Sequence, residues 1–314
     1  MAMNNLRINK IKFEYLLKNI KPVEQIKDKQ EITVNIDELT IDEKYKPYIK
    51  EFVKKTSTNF NFRNPNEKLK TLDLKQKTIL QTLMQPTSEA IYNSLNKKIY
   101  TGKNIDDSIY HELFHAFTTY KENIFSIYSG FNYINIDTDI ARRLSEGYTD
   151  LLANRYFDSV VSYMIEANIA RKTELILGEK NMQNFYASNN LYAIIKFLSK
   201  FSSEEEAIAF ISFVDKLSIY RNNIKKSIQI MNILSNYLVD VYVNVLVEFY
   251  SRGKFDKEDI NIFFSIFKEE FTNYALYDDD IEKEYLRSSD YLDITSKLSN
   301  GNFQKQLRKK VLTK

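Results

Sequence analysis

Glycine and proline are scarce and unevenly placed, and this constrains the fold more than any other feature of the chain. The 314 residues include six glycines and four prolines, and every proline precedes residue 87. Because proline is the strongest helix breaker, the rest of the chain can form long, uninterrupted helices. The predicted fold class is therefore α+β and predominantly helical, with a small N-terminal sheet or hairpin lobe and a helical C-terminal lobe.

Short segments rich in β-forming residues are concentrated in the first half of the chain. Residues 30–36 (QEITVNI) predict a strand. Residues 89–102 predict a hairpin, because its arms AIYN and KKIYT flank a short polar turn. Residues 124–135 indicate a second hairpin with a two-residue turn, and a loop is the alternative there.

Apolar residues at helical spacing dominate the remainder. They predict helices over residues 106–121, 138–157, 222–250 and 256–271. The segment SSEEE at 202–206 matches a capping box and predicts a further helix to about residue 217. We divide the chain into a mixed α/β N-terminal lobe with an edge hairpin, a pair of helices and a helical C-terminal lobe, at residues 1–104, 105–157 and 158–314.

Charge and hydropathy bear on location and partners. The net charge is +3 and the positive residues are scattered, so nothing indicates the basic face of a nucleic-acid-binding protein. The first 30 residues are charged throughout, which is not typical of a signal peptide. The longest nearly apolar runs, near residues 207–214, are far short of a membrane span. We therefore expect a cytoplasmic protein without nucleic-acid or membrane partners, and the sequence indicates no oligomeric state.

One motif carries recognisable chemistry. The segment IYHELFHAFTTY contains the pattern H-E-x-x-H at His111, Glu112 and His115. On a helix, residues four apart lie about 6 Å from each other on one face, so two imidazoles can share a metal ion. Glu112 would lie beside that ion, where it can take a proton from a metal-activated water. The chain has only two histidines and both belong to this motif, so chance placement is a poor explanation.

A third ligand must come from another residue type. The extended motif H-E-x-x-H-x-x-G-x-x-H fails, because Thr118 and Lys121 stand at its glycine and final histidine positions. The predicted helix RRLSEGYTDLLANRYF carries Glu146 and Asp150 on one face. We predict that Glu146 is the third ligand and that Asp150, one turn on, accepts the N–H of a ligand histidine. Spacing alone leaves the reverse assignment open.

The pair HELFH and EGYTD, with 31 residues from His115 to Glu146, resembles the gluzincin branch of the zincin metallopeptidases, the thermolysin-like clan. The resemblance covers residues 89 to about 157. It implies a zincin-like fold and one Zn²⁺ per chain, held by His111, His115 and Glu146, with Asp150 orienting His111. The hairpin at 89–102 resembles the substrate-binding edge strand of that clan. The second helix also resembles small cytosolic metallopeptidases of Gram-positive bacteria and their mobile elements, including repressor-cleaving proteases of the ImmA/IrrE type, and the sequence does not separate these groups.

The resemblance implies zinc-dependent hydrolysis of peptide bonds in a peptide or protein substrate by one catalytic unit. Metal-activated water would be the nucleophile and Glu112 the general base. Members of the clan stabilise the oxyanion with a downstream histidine, tyrosine or arginine, and this chain has no further histidine. Tyr220 lies at a family-like distance after Glu146 and is the predicted residue, with Tyr192 and Tyr186 as alternatives.

Two other classes of protein are consistent with parts of the sequence. The first is a non-catalytic zinc-binding helical regulatory or toxin–antitoxin protein, and Glu112 argues against it because metal binding alone does not need that carboxylate. The second is a purely structural helical protein, which the placement of both histidines in one motif argues against. The sequence leaves open the substrate and the choice between endo- and exopeptidase activity.

Overall fold

The computed structural model describes residues 30–78, 82, 90–123, 125–135, 138–254, 256–272 and 280–299, together with positions 301, 305, 308 and 309. These residues form an α+β structure that is predominantly helical, so the predicted class is confirmed. The first 29 residues of the predicted N-terminal lobe lie outside the described part of the chain.

The described residues include twelve α-helices and seven strands. The helices are α1 (Lys46–Thr56), α2 (Pro65–Thr71), α3 (Ser108–Thr118), α4 (Arg142–Phe157), α5 (Met164–Leu177), α6 (Glu179–Ala187), α7 (Leu191–Ser199), α8 (Glu204–Tyr220), α9 (Ile224–Ser251), α10 (Lys257–Thr272), α11 (Asp280–Leu286) and α12 (Ser289–Lys297). The strands are β1 (Asp73–Gln76), β2 (Ala90–Asn93), β3 (Lys98–Thr101), β4 (Tyr120–Lys121), β5 (Ser126–Ser129), β6 (Asn132–Asn135) and β7 (Thr138–Ile140).

The chain divides into two compact units. Among the described residues, the first unit comprises 30–163 and 179–191 and contains both sheets with α1–α4 and α6. The second unit comprises 164–178 and the residues from 192 onward and is helical. The chain passes from the first unit to the second after residue 163, close to the predicted boundary at residue 158. Nothing in the sequence indicates that α6 belongs to the first unit.

The first sheet has three strands in the order β1-β3-β2. Strands β2 and β3 are antiparallel, with Ala90 opposite Thr101, which confirms the predicted hairpin. Strand β1 was not predicted, and it pairs in parallel with β3. Among the described residues, β2 is consequently an edge strand.

The strand predicted for residues 30–36 is wrong. This segment has no ladder partner and leads into a short 3₁₀ turn, Ile36–Glu38. The side-chain oxygen of Asn66 accepts the backbone N–H groups of Thr33 and Val34 at 2.8 and 3.1 Å. The Asn66 amide also donates to the carbonyl of Glu31 at 2.8 Å. One side chain thus satisfies backbone groups that a neighbouring strand would otherwise pair.

The second sheet is antiparallel, in the order β4-β5-β6-β7. Its β5–β6 hairpin confirms that residues 124–135 form a hairpin. The sequence pattern placed the two-residue turn at Ser129 and Gly130, which is wrong by one residue, because the turn is Gly130 and Phe131 and Ser129 belongs to the strand. The sheet also includes residues predicted as helix. Strand β7 occupies the predicted start of the second helix, and α4 begins only at Arg142 because Ala141 is left-handed, with φ of 58°.

Helix α3 ends at Thr118, three residues before the predicted end. The last carbonyls of a helix need partners from outside it, and side chains supply them here. The hydroxyls of Thr118 and Thr119 donate to the carbonyls of Phe114 and His115, both at 2.8 Å. The Lys68 ammonium donates to the carbonyl of Phe117, and the Asn189 amide donates to that of Thr118 at 2.7 Å.

The apolar face of α3 anchors the first unit. Ile109, Leu113 and Phe117 are buried as the helical spacing predicts. The Phe52 ring of α1 lies 4.9 Å from the ring of Phe117 and 4.9 Å from that of Phe114. This aromatic packing fixes the helix along one side, so its opposite side is held at a defined position.

The helical unit follows its sequence patterns closely. Helix α8 begins with the predicted capping box, in which Ser203 and Glu206 exchange side-chain and backbone hydrogen bonds. Helices α9 and α10 confirm the predicted segments. By length and composition, α9 could cross a membrane, contrary to the expectation that every apolar run is far too short, but 67% of its apolar stretch is buried. A buried core helix passes the same test, so this helix does not decide the location of the protein.

Candidate metal centre

Three predicted ligands come together between α3 and α4. The Nε2 atoms of His111 and His115 lie 2.9 Å apart, and each lies 3.2 Å from Oε2 of Glu146. His115 is 8% exposed, and the side chains of His111 and Glu146 are 12% and 15% exposed. Among the described residues, this group of histidine and acidic side chains has the geometry to hold a metal ion.

Asp150 fixes the orientation of His111. Its Oδ1 lies 2.6 Å from Nδ1 of His111, while Oδ2 accepts the backbone N–H groups of Ser162 and Tyr163 at 2.7 and 2.6 Å. A carboxylate oxygen only accepts hydrogen bonds, so Nδ1 of His111 donates its N–H to Asp150. Nε2 of His111 then faces His115 and Glu146. With both its oxygens engaged, Asp150 is a partner of the histidine.

His115 is oriented differently. Its Nδ1 lies 3.2 Å from the hydroxyl oxygen of Ser129, in strand β5. When Nδ1 donates to that oxygen, Nε2 is the unprotonated nitrogen and points toward His111 and Glu146. A hydroxyl therefore has, for this histidine, the role that a carboxylate has for His111.

The three converging atoms fit a cation. Two imidazole nitrogens with both Nδ1 atoms engaged, and one carboxylate oxygen, are a donor set that metal ions bind. Ligand atoms at about 2.0–2.1 Å from a tetrahedral zinc ion lie roughly 3.3 Å from one another. The observed separations of 2.9 and 3.2 Å are close to that value.

The electrostatics of the group favour positive charge at the shared point. Burial alone would raise the pKa of Glu146, but the charge of His115 and hydrogen bonds with both histidines hold it well below its usual range. Burial alone would lower the pKa of His111, but the hydrogen bonds with Asp150 and Glu146 outweigh it and raise that pKa. A proton on His111 and a metal ion would compete for the same place.

Glu146 has a second contact that holds its carboxylate. Its other oxygen, Oε1, lies 3.9 Å from Nε of Arg142, one turn earlier on α4. Arg142 in turn lies 3.5 Å from Oδ2 of Asp139 in β7. The guanidinium thus leaves Oε2 as the oxygen that faces the histidines.

Glu112 lies beside the group and is held by the first sheet. Its Oε2 accepts the backbone N–H of Tyr92 at 2.6 Å. Burial raises the pKa of Glu112, and the charges of His111 and His115 oppose this increase. The Glu112 carboxylate is therefore close enough to interact with both histidines. Unlike Glu146, it is not one of the three groups that converge on the shared point.

The tyrosines predicted to stabilise an oxyanion have different positions. Tyr220 and Tyr192 belong to the second unit, where Tyr220 is the last residue of α8 and stacks under the ammonium group of Lys226 at 4.8 Å. Tyr186 belongs to the first unit and is fully buried, with its hydroxyl 2.6 Å from Oγ1 of Thr149. The structure does not bring Tyr220 and the metal-binding group into one unit.

Sequence reasoning missed Ser129, Tyr92 and Tyr163. The ring of Tyr163 stacks on His111, with 6.1 Å between ring centroids and 28° between planes. Ser129 follows a predicted strand, and Tyr92 contributes a backbone group, so neither carries a motif. The hairpins themselves were the available signal, because both predicted hairpins lie next to the histidine helix.

No protein-family model matches the chain, and comparisons with curated proteins and with solved structures find no significant match.

Proposed function

We propose that the protein is a zinc-dependent metallopeptidase of the gluzincin type, acting on a peptide or protein substrate in the cytoplasm. The observation that carries the proposal is the convergence of two Nε2 atoms and one carboxylate oxygen, with the half-buried carboxylate of Glu112 alongside. Three protein ligands leave a fourth position for water, as in catalytic rather than structural zinc sites.

The residues of the chain then have distinct roles. A zinc ion bound at this group would polarise a peptide carbonyl and acidify a water molecule. Glu112 takes the proton from that water and passes it to the leaving amine. Its raised pKa suits this role, because a general base works best when its pKa approaches the working pH. The backbone N–H of Tyr92 holds one oxygen of this carboxylate in place.

The edge strand β2 supports a peptide as substrate. Its partner β3 lies on one side, and the Tyr92 N–H points to the other side, toward Glu112. An extended peptide could add to this edge through its main-chain groups other than the Tyr92 N–H, which would place a scissile carbonyl near Glu112. Recognition through the backbone would tolerate many side chains.

A non-catalytic zinc protein would need the three ligands but not Glu112. The main test separates the two functions by replacing Glu112 with glutamine, which keeps the shape and removes the base. Zinc content should stay at about one ion per chain, whereas cleavage of unfolded casein should fall at least about a hundredfold. Glu67→Gln, an exposed carboxylate of the same unit, is the matched control and should change neither quantity.

The metal itself is tested with the histidines. His111→Ala and His115→Ala should each abolish zinc binding, measured by elemental analysis of protein purified without chelator. Zinc-loaded wild-type protein that cleaves no peptide bond would contradict the hydrolase and favour the regulatory alternative. Unchanged zinc content in both histidine variants would contradict the site itself.

A second experiment separates the roles of the two carboxylates on α4. Glu146→Ala should nearly eliminate zinc binding, because it removes a ligand. Asp150→Ala should weaken binding about 10- to 100-fold, because it removes the partner that orients His111. The dissociation constants would be measured by competition with a chelator. If Asp150→Ala empties the site and Glu146→Ala only weakens it, the two roles are reversed.

A further inference from the structure

The two histidines of the metal-binding group are supported unequally. His111 contacts a carboxylate that two backbone N–H groups hold in place. His115 contacts the neutral hydroxyl of Ser129, and both residues are buried. A neutral hydroxyl polarises an imidazole less than a carboxylate does. Ser129 therefore acts on His115 mainly through the position of its hydroxyl, which sets the orientation of the ring.

Neighbouring groups fix the position of Ser129. Its carbonyl accepts the hydroxyl of Ser145 from α4 at 2.9 Å. The hydroxyl of Thr119 donates to the carbonyl of His115 at 2.8 Å and lies 3.2 Å from Oγ of Ser129. Thr119 therefore contacts both the backbone of His115 and the group that orients its ring.

We propose that Ser129 is the positioning residue of His115 and that Thr119 holds the Ser129 hydroxyl in place. The inference rests on the proposed function for its metal ion, but it concerns how the ring is oriented rather than whether a bond is cleaved. It assigns a role to two residues that the metal-binding motif does not include.

The test compares Ser129→Ala with Ser126→Ala. Both serines lie in β5 and are almost equally buried, at 6% and 5% exposure, but Ser126 Oγ lies 3.4 Å from the hydroxyl of Tyr133 instead of the histidine. Chelator competition should show zinc binding about 10- to 100-fold weaker in Ser129→Ala and unchanged in Ser126→Ala. Ser129→Thr retains the hydroxyl and should recover most of the affinity. Thr119→Val should have a smaller effect than Ser129→Ala, because Thr119 contacts the Ser129 hydroxyl rather than the histidine ring.

A second readout does not depend on zinc. In nitrogen-15 NMR spectra, His115 should be protonated on Nδ1 in the wild-type protein, and Ser129→Ala should remove this preference. Equal zinc affinity and an unchanged His115 signal in Ser129→Ala would overturn the proposal, as would equal losses of affinity in the two alanine variants. If the wild-type protein binds zinc but cleaves nothing, only the proposed hydrolysis fails. If it binds no zinc, the proposed function fails and the NMR comparison decides the role of Ser129.

Discussion

Two hairpins contact the sides of helix α3, and they differ in how much of their surface the protein buries. In the β2–β3 hairpin most positions of β2 are half-buried, and Leu95 at the turn is 79% exposed. In the β5–β6 hairpin all four residues of β5 are buried, and so are both residues of the turn. In the part of the chain that the structure describes, β2 leaves one edge of the first hairpin without a neighbouring strand, whereas the second hairpin is enclosed.

The difference separates two tasks at one site. The β2–β3 hairpin offers a backbone N–H to Glu112 and leaves an edge that an extended chain could pair with. The β5–β6 hairpin offers a side-chain hydroxyl to His115 and pairs both its edges with other strands. An accessible strand suits the binding of different peptide chains. An enclosed strand suits holding the Ser129 hydroxyl at a fixed distance from His115.

The largest effect should come from the turn of the enclosed hairpin. Gly130 has φ of +57°, and a Cβ there would lie 2.2 Å from the ring of Tyr186. We expect Gly130→Ala to lower the free energy of unfolding by about 3 kcal/mol, as backbone strain adds to overpacking. Gly253→Ala, with φ of +65° and nothing within 4 Å, should cost only about 1 kcal/mol. Equal losses in urea unfolding would show that the turn is not enclosed.

A smaller effect should come from Asn189, which joins this turn to the end of α3. Its amide donates to the carbonyls of Thr118 and Gly130 at 2.7 and 3.1 Å. Asn189→Gly keeps the left-handed backbone (φ 60°) and removes the amide, so it should cost about 2 kcal/mol through two unpaired carbonyls. Asn189→Ala should cost about 1 kcal/mol more because alanine resists that backbone. A glycine variant as stable as wild type in urea unfolding would contradict the link.

The smallest effect at neutral pH should come from Lys68 of α2. Its ammonium donates to the Phe117 carbonyl at the end of α3 and interacts with the charge of the β2–β3 hairpin. Burial, with repulsion from Arg63 and from Lys97 in the hairpin turn, lowers the pKa of Lys68 to about 7. Between pH 7 and 10.5 the unfolded chain holds this proton and the folded chain does not, so stability rises with pH. At pH 7, Lys68→Met should be nearly neutral, because the lost contact and the relieved burial of charge oppose each other.

The comparison between wild type and Lys68→Met should therefore depend on pH. The wild-type protein should gain stability relative to the variant from pH 7 to 9.5 in urea unfolding. Lys70, an exposed lysine of α2, provides the control. The difference in unfolding free energy between wild type and Lys70→Met should not change with pH. A flat difference for Lys68→Met as well would mean that this lysine keeps its ordinary pKa in the folded protein.

The sequence predicted the parts of the fold that depend on local pattern. Helices α8, α9 and α10 follow from apolar spacing and a capping box, because both signals lie within a few turns. The false strand at residues 30–36 has the right composition, but Asn66, some 30 residues later, binds its backbone. Composition describes what a strand needs and not which partner the chain supplies.

The candidate site divides in the same way. His111, His115 and Glu146 could be selected because helix spacing fixes which side chains share a face, and the structure brings them together. Ser129 and the backbone of Tyr92 could not be selected, because tertiary packing alone places them there. Tyr220 was chosen by its distance along the chain, and this distance does not report that residues after 192 form a different unit.

The two amides on Asp150 have a consequence for how the protein can vary. Ser162 is exposed and reaches Asp150 through its backbone N–H, so its side chain has no part in orienting His111. Almost any amino acid could occupy position 162 without disturbing the histidine. Proline is the exception, because it has no N–H. Natural variants could therefore carry many different residues at position 162, although it is adjacent to the metal-binding residues. The absence of proline there would be the one sign in their sequences that the backbone N–H is needed.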